Sequence, residues 1–187
     1  MAKNILVVTG SVRKTGNSAF LANAFIKGAR HSGNAIQKVE ASNRNFSPFR
    51  DKENAWRKGK PSLIEDDFNV LAPYIHVSDV LVLVSPVYFG GFSGALKLFV
   101  DNLYAYIVPQ RKRNLRFTKA ILLAVARDSN EDTFVGITHE FKELVRQLNI
   151  PEFDIITVEG VHERGDIEGH PGLQKAIELG KSIGKEE

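Results

Sequence analysis

The sequence predicts a doubly wound α/β fold: a five-stranded parallel sheet, order 2-1-3-4-5, with helices on both faces to make three layers. Three observations carry this reading. Five buried strands are read, the first of which, Ile5-Leu6-Val7-Val8, shows no polar alternation, as a strand buried on both faces does. Stretches with helical apolar spacing stand between them. The junctions after the first and third runs look ligand-binding, which makes those two strands neighbours at the switch point of the sheet.

Lys3–Thr9 holds Ile5-Leu6-Val7-Val8 and reads as the first strand, ended by Gly10. Ser11–Ser18 is a small, polar, positively charged turn. The first helix follows, with Leu21, Ala24, Phe25 and Gly28 on one face, and Ser32-Gly33-Asn34 stops it. Ala35–Glu40 is the second strand. Residues 41–62 form a long surface insertion whose Phe46, Phe49 and Trp56 are expected to pack.

Glu65–His76 reads as a helix with Phe68, Leu71, Ala72 and Ile75 at helical spacing and Pro73 within it. Asp79–Ser85 is the third strand. A Pro, aromatic and Gly loop, Pro86–Gly91, joins it to a helix carrying Leu96, Phe99, Val100 and Leu103. Tyr104–Phe117 is aromatic and then basic. Lys119–Ala126 is the fourth strand, followed by a polar loop over Arg127–Asp132. Phe134, Ile137, Phe141, Leu144, Val145 and Leu148 mark the next helix. Phe153–Val158 is the fifth strand, and the last helix carries Leu173, Ala176, Ile177 and Gly180. One domain over residues 1–187 accounts for all of this.

Composition narrows the chemistry. The chain has no cysteine, which excludes disulfides, thiolate nucleophiles and iron–sulfur clusters and agrees with a reducing cytoplasm. The apolar run at the amino terminus is too short for a signal peptide core or a membrane span. The net charge of +3 is mildly basic, enough to attract phosphorylated cofactors but no indication of nucleic acid.

The turn at Gly10 is an anion site in kind. A strand, a Gly-bearing turn and a helix start present backbone N–H groups and a positive dipole end to one point. Ser11, Thr15, Asn17 and Ser18 add donors, and Arg13 or Lys14 adds charge. The plainer reading is a turn with an ordinary cap. A nucleoside-triphosphate loop is ruled out, because Gly10 and Gly16 are six apart and Asn17 stands where Lys is required. The dinucleotide fingerprint is missing too. A mononucleotide's single phosphate fits better. The loop at Pro86–Gly91, poor in charge and rich in aromatic and backbone surface, suits a flat, mostly apolar ring.

Other chemistries are weaker. Gly91-Phe92-Ser93-Gly94-Ala95 nearly matches a nucleophile elbow but fails at its last position, and Ser93 is better placed to cap the next helix. His162, Glu163, Asp166, Glu168 and His170 share one loop without metal-ligand spacing, so a solvated turn, or a lid over the site or a neighbouring subunit, is expected there. Arg111, Lys112, Arg113, Arg116 and Lys119 form a basic patch, a solvated face or a site for a nicotinamide cofactor's extra phosphate.

At these residues the chain resembles the NADPH-dependent FMN reductases and iron–sulfur flavoproteins of the flavodoxin-like fold. Gly10–Ser18 is similar to their phosphate loop, Ser85–Gly90 to their flavin-ring loop, and Leu96-Lys97 through Asp101 to the helix segment that follows. The resemblance implies FMN as cofactor, with its phosphate on Ser11, Arg13, Asn17 and Ser18 and with Gly16 also among the cofactor-binding residues. It places the ring against Pro86, Val87, Tyr88, Phe89 and Gly90. It brings in Asp128 from the loop Arg127–Asn130, which is not Gly-rich as in relatives. No cluster motif is possible without cysteine. The implied activity is hydride transfer from NADPH or NADH to bound FMN and on to a quinone, flavin or similar small acceptor. The alternative is a flavodoxin-type carrier serving a protein partner. The resemblance also implies a homodimer or homotetramer, with Phe92, Tyr104, Tyr106 and the aromatic insertion as candidate contacts, and neither nucleic acid nor membrane insertion.

Overall fold

The computed structural model describes residues 1–49, 66–107 and 115–185. Most of the insertion, with Trp56, and Arg111, Lys112 and Arg113 of the basic patch lie outside the described residues.

Five parallel strands form one sheet in the order β2-β1-β3-β4-β5. They are β1 (Asn4–Thr9), β2 (Ala35–Glu40), β3 (Val80–Pro86), β4 (Lys119–Val125) and β5 (Glu152–Val158). Five α-helices stand among the described residues: α1 (Asn17–His31), α2 (Asp67–Val77), α3 (Gly94–Asn102), α4 (Val135–Gln147) and α5 (Pro171–Ser182). The strand order is the predicted one, and every strand boundary lies within one residue of the expectation.

The unbroken apolar runs are explained by the two faces of the sheet. Successive side chains point to opposite faces. Leu6, Val8, Leu81 and Leu83 face a core with Phe68 of α2, Phe99 of α3 and Phe141 of α4. Ile5, Val7, Val80 and Val82 face a second core with Leu21 and Phe25 of α1 and Ala176 of α5. The three central strands are buried throughout or nearly so, as a doubly covered parallel sheet requires. The two edge strands depart from the expectation of five buried strands. β2 and β5 are only partly buried, because an edge has no neighbour on one side, and Phe153 of β5 is 44% exposed.

Local signals set the helix ends. The Asp66 side chain accepts from the Phe68 N–H at 3.0 Å and starts α2 two residues later than its pattern suggests. Pro73 sits inside α2 on its exposed side. Of the insertion's aromatics, Phe46 is buried beside Phe68 and Phe99, at ring separations of 6.5 and 5.9 Å. Phe49 lies edge-on to Tyr104 at 5.5 Å. The expected packing therefore holds for these two.

Candidate functional site

The turn between β1 and α1 is a concentration of open hydrogen-bond donors. Gly10 donates its N–H to the Val84 carbonyl at 2.8 Å, which ties the end of β1 to β3. Beyond it, from Ser11 to Ser18, only Arg13 and Gly16 have bonded backbone N–H groups among the described residues. Arg13 donates to Ser11 Oγ at 3.1 Å and Gly16 to the Arg13 carbonyl at 3.1 Å. Helix α1 opens at Gly16 with no side-chain cap and no acidic residue in its first turn. The plainer reading, a turn closed by an ordinary cap, is therefore not what the chain adopts. Uncapped N–H groups, the positive end of a fifteen-residue helix and the exposed Arg13 and Lys14 make an electropositive cradle.

The loop after β3 is a tight hairpin. Tyr88 and Gly91 exchange backbone hydrogen bonds at 3.1 and 3.0 Å, with Phe89 and Gly90 between them at φ of 49° and 79°. Positive φ at both central residues is the geometry of a type I′ turn. Phe89 is the wrong residue for it by backbone preference and is fully exposed, while Tyr88 is 51% exposed. Neither is a core aromatic. The N–H groups of Phe89 and Gly90 make no hydrogen bond among the described residues.

The hairpin is held firmly from α4. A Cβ on Gly136 would stand 2.4 Å from the Gly90 carbonyl oxygen, so only glycine permits this contact. Glu140 accepts from the Phe92 N–H at 3.2 Å and stands 3.7 Å from the Lys97 ammonium, which also pairs with Asp101. Nothing in the sequence marks Glu140, because its partner lies 48 residues away.

Ser93 joins the two halves. It occupies the N-cap position of α3 but does not cap with its side chain. Its hydroxyl donates to the Gly10 carbonyl at 2.8 Å, and its N–H donates to Ser85 Oγ at 3.0 Å. The expected capping role is thus corrected: the hydroxyl reaches across the sheet edge because Gly10 comes close enough to take it. Buried and committed in this way, Ser93 is no nucleophile.

Two further loops share this edge. Arg127, Asp128, Ser129 and Asn130 follow β4 and are all exposed. The loop after β5, residues 159–170, packs onto the β1–α1 turn. Arg13 Nη1 donates to the His162 carbonyl at 3.2 Å, and Asn17 Nδ2 donates to the Glu163 carbonyl at 2.8 Å. The Asn17 side chain therefore faces this loop, and its backbone N–H is what it offers the cradle. His162, Glu163, Asp166 and Glu168 are exposed, as in a solvated turn, while the loop also touches the β1–α1 turn. His170 Nδ1 accepts from the Gly172 N–H and caps α5, while Asp166 accepts from the N–H groups of His162 and Glu163. Of the basic patch, Arg116 pairs with Asp79 at 3.3 Å and Lys119 with Asp154 at 2.8 Å. Both lie at the opposite end of the strands from the cradle.

The residues expected to bind a phosphate and those expected to bind a ring thus sit at one edge, linked by Ser93. Residues 3–146 match the family described as NADPH-dependent FMN reductase. The chain belongs to that family. Its members use FMN with NADPH as reductant, so flavin-dependent oxidoreduction is the activity of this NADPH-dependent FMN reductase relative.

Among curated proteins, Bacillus subtilis YwqN, named as an NAD(P)H-dependent FMN-containing oxidoreductase, is 24% identical over 179 residues, covering 94% of this chain and 95% of that one. An iron–sulfur flavoprotein of Methanocaldococcus jannaschii is 23% identical over 184 residues, covering 96% and 94%. Among solved structures, an NAD(P)H:quinone oxidoreductase from Methanothermobacter marburgensis superposes with a TM-score of 0.79 at 18% identity, covering both chains completely. That likeness establishes the flavodoxin-like fold. No helix among the described residues is long and apolar enough to cross a membrane.

Proposed function

We propose that this reductase takes hydride from NADPH or NADH and passes electrons to a quinone, another flavin or a similar small acceptor, with the whole chain acting as one FMN-binding unit. When bound, FMN supplies the hydride and electron chemistry. The chain's own residues bind, orient and shield. The observation that carries the reading is the row of open N–H groups from Ser11 to Ser18, joined through Ser93 and Gly10 to an exposed aromatic hairpin.

The donor set fits a phosphate monoester. Of Ser11, Arg13, Gly16, Asn17 and Ser18, the open backbone N–H groups of Ser11, Asn17 and Ser18 and the Arg13 guanidinium would hold it, while Gly16, whose N–H is bonded to the Arg13 carbonyl, would shape the turn. Pro86, Val87 and Gly90 would lie against the ring, with Tyr88 and Phe89 as its apolar walls. The open N–H groups of Phe89 and Gly90 suit ring carbonyl and nitrogen acceptors. Asp128 closes the third side. Relatives of this kind supply the acceptor class, since the Methanothermobacter marburgensis protein is a quinone oxidoreductase. The absence of cysteine fits a reducing compartment such as the cytoplasm.

An assembly of two or four copies is the expected state. Its contacts cannot include Phe92 or Tyr106, which are buried within the chain, whereas Tyr104 is half exposed.

Titration of the flavin-free protein with FMN tests the binding, and Arg13→Ala should weaken FMN about tenfold while sparing riboflavin, as loss of one charge-assisted contact does. Stopped-flow mixing of the FMN-bound protein with NADPH and NADH tests the reductase. Reduction by neither nucleotide would leave the electron-carrier reading standing in its place.

A further inference from the structure

Asn17 is 7% exposed, and its side chain bonds to the loop after β5. Its Nδ2 donates to the Glu163 carbonyl at 2.8 Å, and its Oδ1 accepts from the N–H groups of Gly165 at 3.2 Å and Ile167 at 3.4 Å. One amide thus gathers three backbone groups from a loop almost 150 residues further on. Arg13 reinforces it by donating to the His162 carbonyl. The loop also folds on itself, with the N–H groups of Asp166, Glu168 and His170 donating to the Glu163, Gly165 and Ile167 carbonyls. Asp166 folds its start by accepting from His162 and Glu163, and Ile167 is buried in the core beneath it.

We infer that Asn17 is a positioning residue, whose side-chain amide locks the loop 162–167 against the phosphate turn so that loop order and anion binding are a single coupled equilibrium. The inference rests on the FMN reading of the turn. The physical basis is complementarity of charge. A turn with open N–H groups and an arginine is electropositive, and the loop presents the carbonyl dipoles of His162 and Glu163 to it. The carbonyls hold Arg13 and the start of α1 in the geometry that an anion then meets. Turning the Asn17 amide as a whole toward a ligand would break the 2.8 Å bond to Glu163.

The test uses Asn17→Ala, Gly165→Ala and the double variant. Gly165 stands at φ 93°, so an alanine there strains the loop from its own side. FMN and riboflavin are titrated into each flavin-free protein, and amide hydrogen exchange is followed in the same proteins without flavin. Each single variant should weaken FMN about tenfold and riboflavin less than about twofold, and the double variant should be no worse than the weaker single, since both break one coupling. Exchange across 163–167 should accelerate in flavin-free Asn17→Ala. Losses that multiply in the double variant, or exchange at 163–167 untouched by Asn17→Ala, overturn the inference. Should Asn17→Ala not fold, Asn17→Ser gives the same reading. If the wild-type protein binds neither flavin, the FMN reading fails, and the exchange measurement alone still decides whether Asn17 holds the loop.

Discussion

The Ser93 hydroxyl donates to the Gly10 carbonyl at 2.8 Å, across 83 residues of sequence, and makes one site of two loops. Gly10 is confined by the same contact, since a Cβ there would stand 2.2 Å from Ser93 Oγ and 2.6 Å from Leu96 Cβ. Ser93→Ala should cost about 1–2 kcal/mol, because it leaves a buried carbonyl without its donor. Gly10→Ala should cost more, about 2–4 kcal/mol, because α3 must move to admit the methyl group. Denaturant unfolding of both variants measures this. Equal costs would show that the site tolerates separation of its halves.

Phe89 is expected to be a residue kept at a stability cost. Its φ of 49° and full exposure mean that nothing in the fold repays the conformation. Phe89→Asn should raise stability by about 0.5–1 kcal/mol, since Asn suits a type I′ turn. The same variant should weaken flavin retention or slow turnover with a quinone. Thermal melts and steady-state kinetics on one preparation measure both effects. A stabilised variant with unaltered flavin affinity and kinetics would remove Phe89 from the site.

Gly136 should be as sensitive as any residue that faces the flavin. The methyl group of Gly136→Ala would come within 2.4 Å of the Gly90 carbonyl oxygen, so the hairpin must shift to admit it. We expect a several-fold loss of FMN affinity with a fall of about 1–3 kcal/mol in stability. Gly94→Ala is the control, since its Cβ would meet nothing within 4 Å. FMN titration and denaturant unfolding of the two variants side by side measure the difference.

The far end of the strands gives a pH prediction. Burial pulls the Lys119 ammonium down, but hydrogen bonds and fields from Asp154 and Glu152 outweigh it and hold its pKa above 10.5. A raised ammonium pKa gives stability that is complete below the unfolded value and lost as pH climbs through the folded one. Lys119→Met should therefore be less stable than wild type by about 0.5–1 kcal/mol at neutral pH, with the gap closing above about pH 10.5. FMN affinity should not change, because Lys119 lies away from the cradle. Melts from pH 7 to 11 follow the gap.

The fold was legible because both kinds of signal that define it are local. Ile5–Val8 and Leu81–Val84 face apolar cores on both sides, so they read as unbroken runs. The helices between them bury one stripe each. The candidate site was legible only as two separate turns. What joins them depends on pairs far apart in sequence, Ser93 with Gly10 and Glu140 with Phe92, which no periodicity records. Tyr88 and Phe89 are ambiguous in the sequence for another reason. An aromatic pair looks the same in a core as at the tip of a hairpin, and only the fold, through the exposure of both rings and the positive φ of Phe89, separates the two. Asn17 stands out in the sequence as a donor at the turn, but its side chain serves the loop after β5, and that loop's residues suggest only a polar turn or a lid.

The contact between Asn17 and residues 163–167 also sets an order in time. The phosphate turn leaves the ribosome well before the loop that completes it, which follows up to 150 residues later. A nascent chain that has formed β1 and α1 still lacks the carbonyls that hold Arg13 and the start of α1 in place. The turn made first is thus the last to be held in place, and on the proposed reading a chain captures flavin only once it has grown past residue 167.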